Sequence, residues 1–396
     1  MLGLLLLAAA VHTHFEAGNI GKVEWLSEQH LRCGVRGETD QDGRNHQPSW
    51  FYFRLDGVAG RDLTIDITDL AGEYNYRPND GSGLRNMRPV YSYDDREWTH
   101  FEASEFERTT GTIRVRLKAA RNRVWIARQP PYTNQRLREL LNHFHGHPAL
   151  NEEVVGKTLA GRPIPLLTIT NPKTPETGKP VIWLMARQHA WESGTSWVAE
   201  GAVRWLLSQH PRAARLRDGF VFKVFPMADP DGVARGGVRF NAKGYDLNRN
   251  WDAVDAKLMP ETFYQRKAIL DWVDSGRTVD LFLALHNTEA QDYLEGPLTA
   301  GGPRLRGLAE RLHKLLGGTT FHAARGPLDS PVSTSPGMKG RMTVYQGLFA
   351  DRKLPAFLME LMVDTNPKLG RPATVADRLE FGAALVRAMC AAVRPE

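Results

Sequence analysis

Cysteine is scarce in this chain: Cys33 and Cys390 are the two in 396 residues, and they lie near opposite ends. Neither belongs to a CxxC or CxxxC cluster, so neither a disulfide framework nor a structural zinc ribbon is expected. Long apolar runs are missing as well. The opening run from Leu2 to Val11 is about ten residues, too short to span a bilayer, and no later stretch is longer, so no transmembrane segment is expected. No Lys or Arg follows Met1, as a secretory leader would have, yet Ala8, Ala9 and Ala10 supply small residues for cleavage. Residues 1–18 are therefore read as a candidate leader; its use implies secretion or a periplasmic location, and its disuse a cytoplasmic one. No internal repeat is visible.

Hydrophobic residues make up 42% of the chain and charged residues 24%, which is the balance of an ordinary soluble protein and not of a disordered or fibrous one. A length of 396 residues points to two domains. The formal charge of +6 suits acidic peptides or anionic polymers. A solvated basic surface explains it more simply, and no nucleic-acid partner is expected.

From about residue 19 to residue 130 the chain alternates in short segments. In Leu63-Thr64-Ile65-Asp66-Ile67 and Ile113-Arg114-Val115-Arg116-Leu117 every second residue is apolar, which predicts strands of a small antiparallel β-sandwich. Leu137, Leu140 and Leu141 predict a helix from Asn134 that links the halves over residues 131–150. His143, His145 and His147 at its end read as a solvated helix terminus, because alternate residues on a fraying helix do not converge on one ion. From residue 151 to 396 apolar strands alternate with helices, the pattern of an α/β layer built on a mostly parallel, mixed sheet.

Two of those strands end in metal-ligating residues. Val181-Ile182-Trp183-Leu184-Met185 runs into His189 and Glu192, and Leu281-Phe282-Leu283-Ala284-Leu285 ends at His286. Neighbouring strands of an open α/β sheet place their carboxyl ends in one crevice. Two His and one Glu there form an accepted catalytic zinc set, with a position left for water. Glu360 interrupts the apolar run Phe357-Leu358-Met359-Glu360-Leu361-Met362, and a buried carboxylate needs a cation, a donor or water. A general base beside activated water fits it. Asn248 and Arg249 offer planar donors for a substrate carboxylate, Arg239 a charge for an oxyanion, and Asp246 an acceptor for the outer nitrogen of His189.

In that order, His189-x-x-Glu192, Asp246-Leu247-Asn248-Arg249-x-Trp251, His286 and Glu360 resemble the zinc carboxypeptidase family, M14. Phe51-Tyr52-Phe53-Arg54, Arg88-Pro89-Val90-Tyr91-Ser92 and Arg128-Gln129-Pro130-Pro131-Tyr132 are similar to the amino-terminal β-sandwich of its cytosolic-carboxypeptidase-like branch. The resemblance implies one zinc ion on His189, Glu192 and His286. It also implies a peptide or protein substrate whose free C-terminal carboxylate meets Asn248 and Arg249, with Arg239 supporting the oxyanion and Glu360 as base. The family's loop tyrosine has Tyr345 as its nearest candidate. Asn287-Thr288-Glu289 departs from the Gly-His-Ser of the branch. The basic charge and the resemblance together suggest acidic terminal residues, glutamate above all. An amidase of acylated amino acids or wall-peptide stems, and a catalytically silent binding module, are the alternatives.

Overall fold

The computed structural model describes residues 9–333 and 337–394. Most of the apolar opening run lies outside the described residues. Its last part is built into the fold: Ala10–His12 is a strand that pairs with Tyr52–Asp56, Val11 opposite Leu55.

Two five-stranded sheets form the amino-terminal sandwich. Leu31, Cys33, Ile65, Ile67, Ile113 and Val115 from one sheet meet Phe53, Leu55, Val124 and Ile126 from the other, and period-two alternation is what gives each sheet this apolar face. Asp66 lies on the outer face, as its position in the alternation predicts. It is nevertheless buried, covered by Arg114 at 2.7 and 3.0 Å and by His30 at 2.9 Å. The sandwich contains one parallel pair, His30–Gly34 beside Asp62–Thr68. Between these two strands the chain crosses to the opposite sheet to form Tyr52–Asp56, and that excursion makes them run the same way.

The second layer is an eight-stranded mixed sheet. Its centre is parallel: Val221–Phe225, Val181–Ala186, Leu281–Thr288 and Ala356–Met362 lie side by side. Leu150–Lys157, Pro163–Ile169 and Tyr293–Gly296 add antiparallel pairings toward the edges. One face is covered by the helices Ser193–Leu206, Gly302–Leu316 and Val375–Val393. Pro260–Asp274 and Val344–Arg352 cover the other.

Two glycines let the first and last of these helices touch backbone to backbone. A Cβ on Gly201 would stand 2.1 Å from the Leu379 carbonyl oxygen, and one on Gly382 would stand 2.0 Å from that of Val198. The helix Asn134–Phe144 buries Leu137 and Leu140 in the same core, so it packs as part of the α/β layer and not as a free spacer.

The sandwich and the α/β layer share an apolar seam of Ala17, Trp50, Tyr52, Val90, Ala127, Trp191 and Val238. Arg128, buried at the end of the sandwich, lies over the Trp191 ring at 4.7 Å and reaches Glu289 at 2.6 Å. Among the described residues no helix is long and apolar enough to cross a membrane.

Candidate active site

Residue Arg187, directly after Val181–Ala186, has a φ of 66°, a left-handed conformation that costs about 1–3 kcal/mol for a residue other than glycine. Its buried guanidinium offsets that cost by donating to the Ala190 carbonyl at 2.7 Å and the Tyr132 carbonyl at 3.1 Å. The turn sends His189 and Glu192 out of the sheet together. His286 does not close its strand, as the sequence suggests. Pairing with Ala356–Met362 carries the strand two residues further, with His286 opposite Glu360 and Thr288 opposite Met362.

The three expected ligands converge. His189 Nδ1 lies 2.7 Å from Glu192 Oε1, and His286 Nδ1 lies 3.0 Å from Glu192 Oε2. One ligand atom from each residue lies within 4.8 Å of the others, and all three residues are buried. Both imidazoles thus turn Nδ1 inward, and each outer nitrogen is held from behind. His189 Nε2 faces Asp246 Oδ1 at 3.1 Å, and His286 Nε2 lies 3.2 Å from Gln188 Oε1 and 3.3 Å from Asn248 Nδ2. Such outer contacts hold the ring orientation. Burial opposes ionisation of Glu192, but the imidazoles of His189 and His286 outweigh it and hold the carboxyl below its ordinary range. The tract His143, His145, His147 is not part of this cluster.

Asp246 joins the parts of the site. It receives the Arg239 Nε–H at 2.7 Å on Oδ2 and the Asn248 backbone N–H at 2.8 Å on Oδ1. Burial works against its charge, but Arg239, Arg249 and His189 hold its carboxyl well below the ordinary range. Asn248 Oδ1 accepts the Val344 N–H at 2.9 Å, and Arg249 donates to the Asn248 carbonyl at 2.8 Å while its Nε keeps no partner.

Glu360 Oε2 is buried without a hydrogen-bond partner. Burial, with the charges of Glu192 and Glu295 beside it, raises the Glu360 carboxyl well above the ordinary range. Tyr345 is the second residue of the helix Val344–Arg352 and is buried, its hydroxyl 2.9 Å from Glu295 Oε1 and 3.0 Å from Ser330 Oγ. The residue thus stands at the start of a helix, in the wall of the site. His189, Glu192, Arg239, Asn248, Arg249, His286, Tyr345 and Glu360 all line one cavity of about 540 Å³.

The sandwich supplies part of that cavity, including His46, Gln47, Glu73 and Tyr74. The Tyr74 ring lies 5.5 Å from the Arg239 guanidinium. Beneath, Glu38 Oε2 accepts the backbone N–H groups of Val238, Arg239 and Phe240 at 3.0, 2.7 and 2.9 Å, while Oε1 pairs with Arg235. Glu38, Gln188 and Glu295 were missed from the sequence. Gln188 could have been found as the polar neighbour of His189 on the same strand end, whereas nothing local marks Glu38.

Residues 137–291 match the family model for zinc carboxypeptidases, and residues 11–128 match that for the cytosolic carboxypeptidase N-terminal domain. Glu360 lies beyond the first match. An uncharacterized protein of Zymomonas mobilis is 28% identical over 281 residues, covering 71% of this chain and 68% of that one. Mouse cytosolic carboxypeptidase 4 is 30% identical over 309 residues, which covers 69% of this chain and 27% of that one, so the chain spans about a quarter of that relative. The crystal structure of a metallo-carboxypeptidase from Burkholderia cenocepacia superposes with a TM-score of 0.83 at 25% identity, covering 98% of this chain and 99% of that one. With both domain types matched in order, the expected fold and the convergent His-Glu-His cluster, this chain belongs to the M14 zinc carboxypeptidase family, in the branch that carries a cytosolic-carboxypeptidase-type amino-terminal domain.

Proposed function

We propose that this protein removes the C-terminal residue of peptides or proteins, with one zinc ion held by His189, Glu192 and His286. The observation that carries the reading is the joint position of three convergent ligands, a carboxylate without a partner and two arginines around one cavity. The donor set fits the ion: two imidazole nitrogens and a carboxylate, buried and turned toward one another with one ligand atom of each within 4.8 Å of the others. Bound there, zinc supplies Lewis acidity, polarising the scissile carbonyl and making water easier to deprotonate.

The chain's own groups do the rest. Glu360, raised by burial, takes the proton from the attacking water and returns it to the departing amine nitrogen. Arg239, fixed by Asp246, offers its guanidinium to the tetrahedral oxyanion. Arg249 receives the terminal carboxylate with the help of Asn248, which places the scissile bond one residue from the end of the chain. Among the described residues, the cavity lining includes no Lys or Arg besides Arg239 and Arg249, so a preference for a glutamate side chain, suggested by the resemblance, has no further cation in this lining to rest on.

Hydrolysis of matched peptides with free and amidated ends tests the proposal. The zinc-loaded protein should release single C-terminal residues from the free forms. Arg249→Ala should lower kcat/KM on them by about 10²-fold or more and change cleavage of amidated forms little. Equal loss on both would remove the exopeptidase reading. Release of acyl groups from acylated amino acids without peptide cleavage would favour the amidase alternative, and zinc binding without any turnover would favour the silent module.

A further inference from the structure

Beyond Glu360 the cavity has a floor of its own. The strand Tyr293–Gly296 pairs antiparallel with Ala356–Met362, placing Tyr293 opposite Glu360 and Glu295 opposite Leu358. Residues two apart on a strand share a face, so Glu295 looks into the same cavity as Glu360, two paired positions deeper, about 7 Å along the strand. Its carboxylate is held in place by the Tyr345 hydroxyl at 2.9 Å, which is itself 3.0 Å from Ser330 Oγ. All three residues line the cavity.

We propose that Glu295 selects substrates whose C-terminal residue carries a cationic side chain, lysine or arginine. The inference rests on the carboxypeptidase reading above. With the terminal carboxylate on Arg249 and the scissile bond facing Glu360, the last side chain has this floor to fill. A fixed acid there complements an ammonium or guanidinium and repels a glutamate. Burial raises the Glu295 carboxyl above its ordinary range, against the hydrogen bond from Tyr345 and the charge of Arg249. An incoming cation adds a charged partner to the single hydroxyl that Glu295 holds.

The test is a set of blocked peptides differing only in their last residue, Lys, Arg, Met, Leu or Glu, given to the zinc-loaded full-length protein. Lysine and arginine should exceed methionine, of similar length, by at least about tenfold in kcat/KM, with glutamate lowest. In Glu295→Gln, which keeps an acceptor for Tyr345, the lysine-to-methionine ratio should fall toward one. In Glu295→Lys the order of lysine and glutamate should reverse. Binding of a lysine-ended peptide and its methionine counterpart to zinc-loaded Glu360→Gln gives a second readout that needs no turnover, and the same preference is expected. Cleavage of free-ended peptides with glutamate or leucine preferred, or a ratio unchanged in Glu295→Gln, overturns the pocket assignment and leaves the carboxypeptidase reading standing. No release from any peptide, with no preference in binding, overturns both.

Discussion

Asp229 is fully buried, and only one of its oxygens is satisfied. Oδ1 caps the short helix Pro230–Ala234 by accepting the Gly232 N–H at 2.8 Å, while Oδ2 has no partner. Burial, reinforced by Glu261 and Glu38 and opposed by Arg235, raises its carboxyl to about 7. A carboxyl raised on folding favours the folded state while both states are protonated and loses that benefit as pH rises through the folded value. Its contribution is therefore greatest below the ordinary 3.8 and has gone above about 7. Asp229→Asn keeps the capping oxygen and removes the ionisation. In urea unfolding the variant should gain stability over the wild type as pH is raised from 5 to 8, by an amount on the order of 1–3 kcal/mol. A difference independent of pH would show that Asp229 does not titrate there.

The loop bearing Arg239 owes its shape to an element outside the catalytic layer. Three consecutive backbone N–H groups, from Val238 to Phe240, converge on one oxygen of Glu38 in the sandwich. Such charge-assisted bonds are each worth about 1.5–3 kcal/mol. Glu38→Ala should leave Arg239 chemically intact but loosely placed, lowering kcat by about tenfold or more with a smaller change in KM, while Glu38→Gln should recover part of the loss. Equal kcat in both variants and wild type would mean that the loop holds itself.

Elements also divide by how well the sequence announced them. The strand Val181–Ala186 follows the apolar run that marks it in the sequence, because a strand buried on both faces is a plain apolar run, and the helix Val375–Val393 keeps a helical period over its length. Pro163–Ile169 and Tyr293–Gly296 passed unnoticed. The first carries two prolines in an apolar run, and the second is four residues whose only sheet-like feature is its pairing.

At the scale of the whole molecule, the two domains are tied into one body. Besides the shared apolar seam and Glu38, Asn19 Nδ2 donates to the Gly236 carbonyl at 2.7 Å and Glu16 accepts both N–H groups of Asn134, at 2.7 Å each. Thermal unfolding followed by calorimetry should therefore show one cooperative transition for the zinc-loaded protein. An ion held by the folded site alone stabilises the folded state, so on the proposed zinc site chelation should lower the temperature of that whole transition, and His286→Ala should remove the difference between loaded and chelated protein. Two separate transitions, with only the upper or lower one sensitive to chelation, would show that the domains unfold independently.

The sequence by itself determined which residues stand out as candidate ligands, their order and the strands that carry them, because an ionisable residue at the end of a strongly apolar run has few structural uses. It also determined a change of rhythm near residue 150, where period-two alternation gives way to strand–helix alternation. What covers each charge was decided only by the tertiary structure. Glu38 on the Arg239 loop, Gln188 behind His286 and Glu295 beneath Glu360 act through contacts between segments far apart in the chain or between neighbouring strands. Such contacts follow from strand order, register and domain docking, and those are set by packing of the whole chain and leave no mark on the residues nearby in sequence.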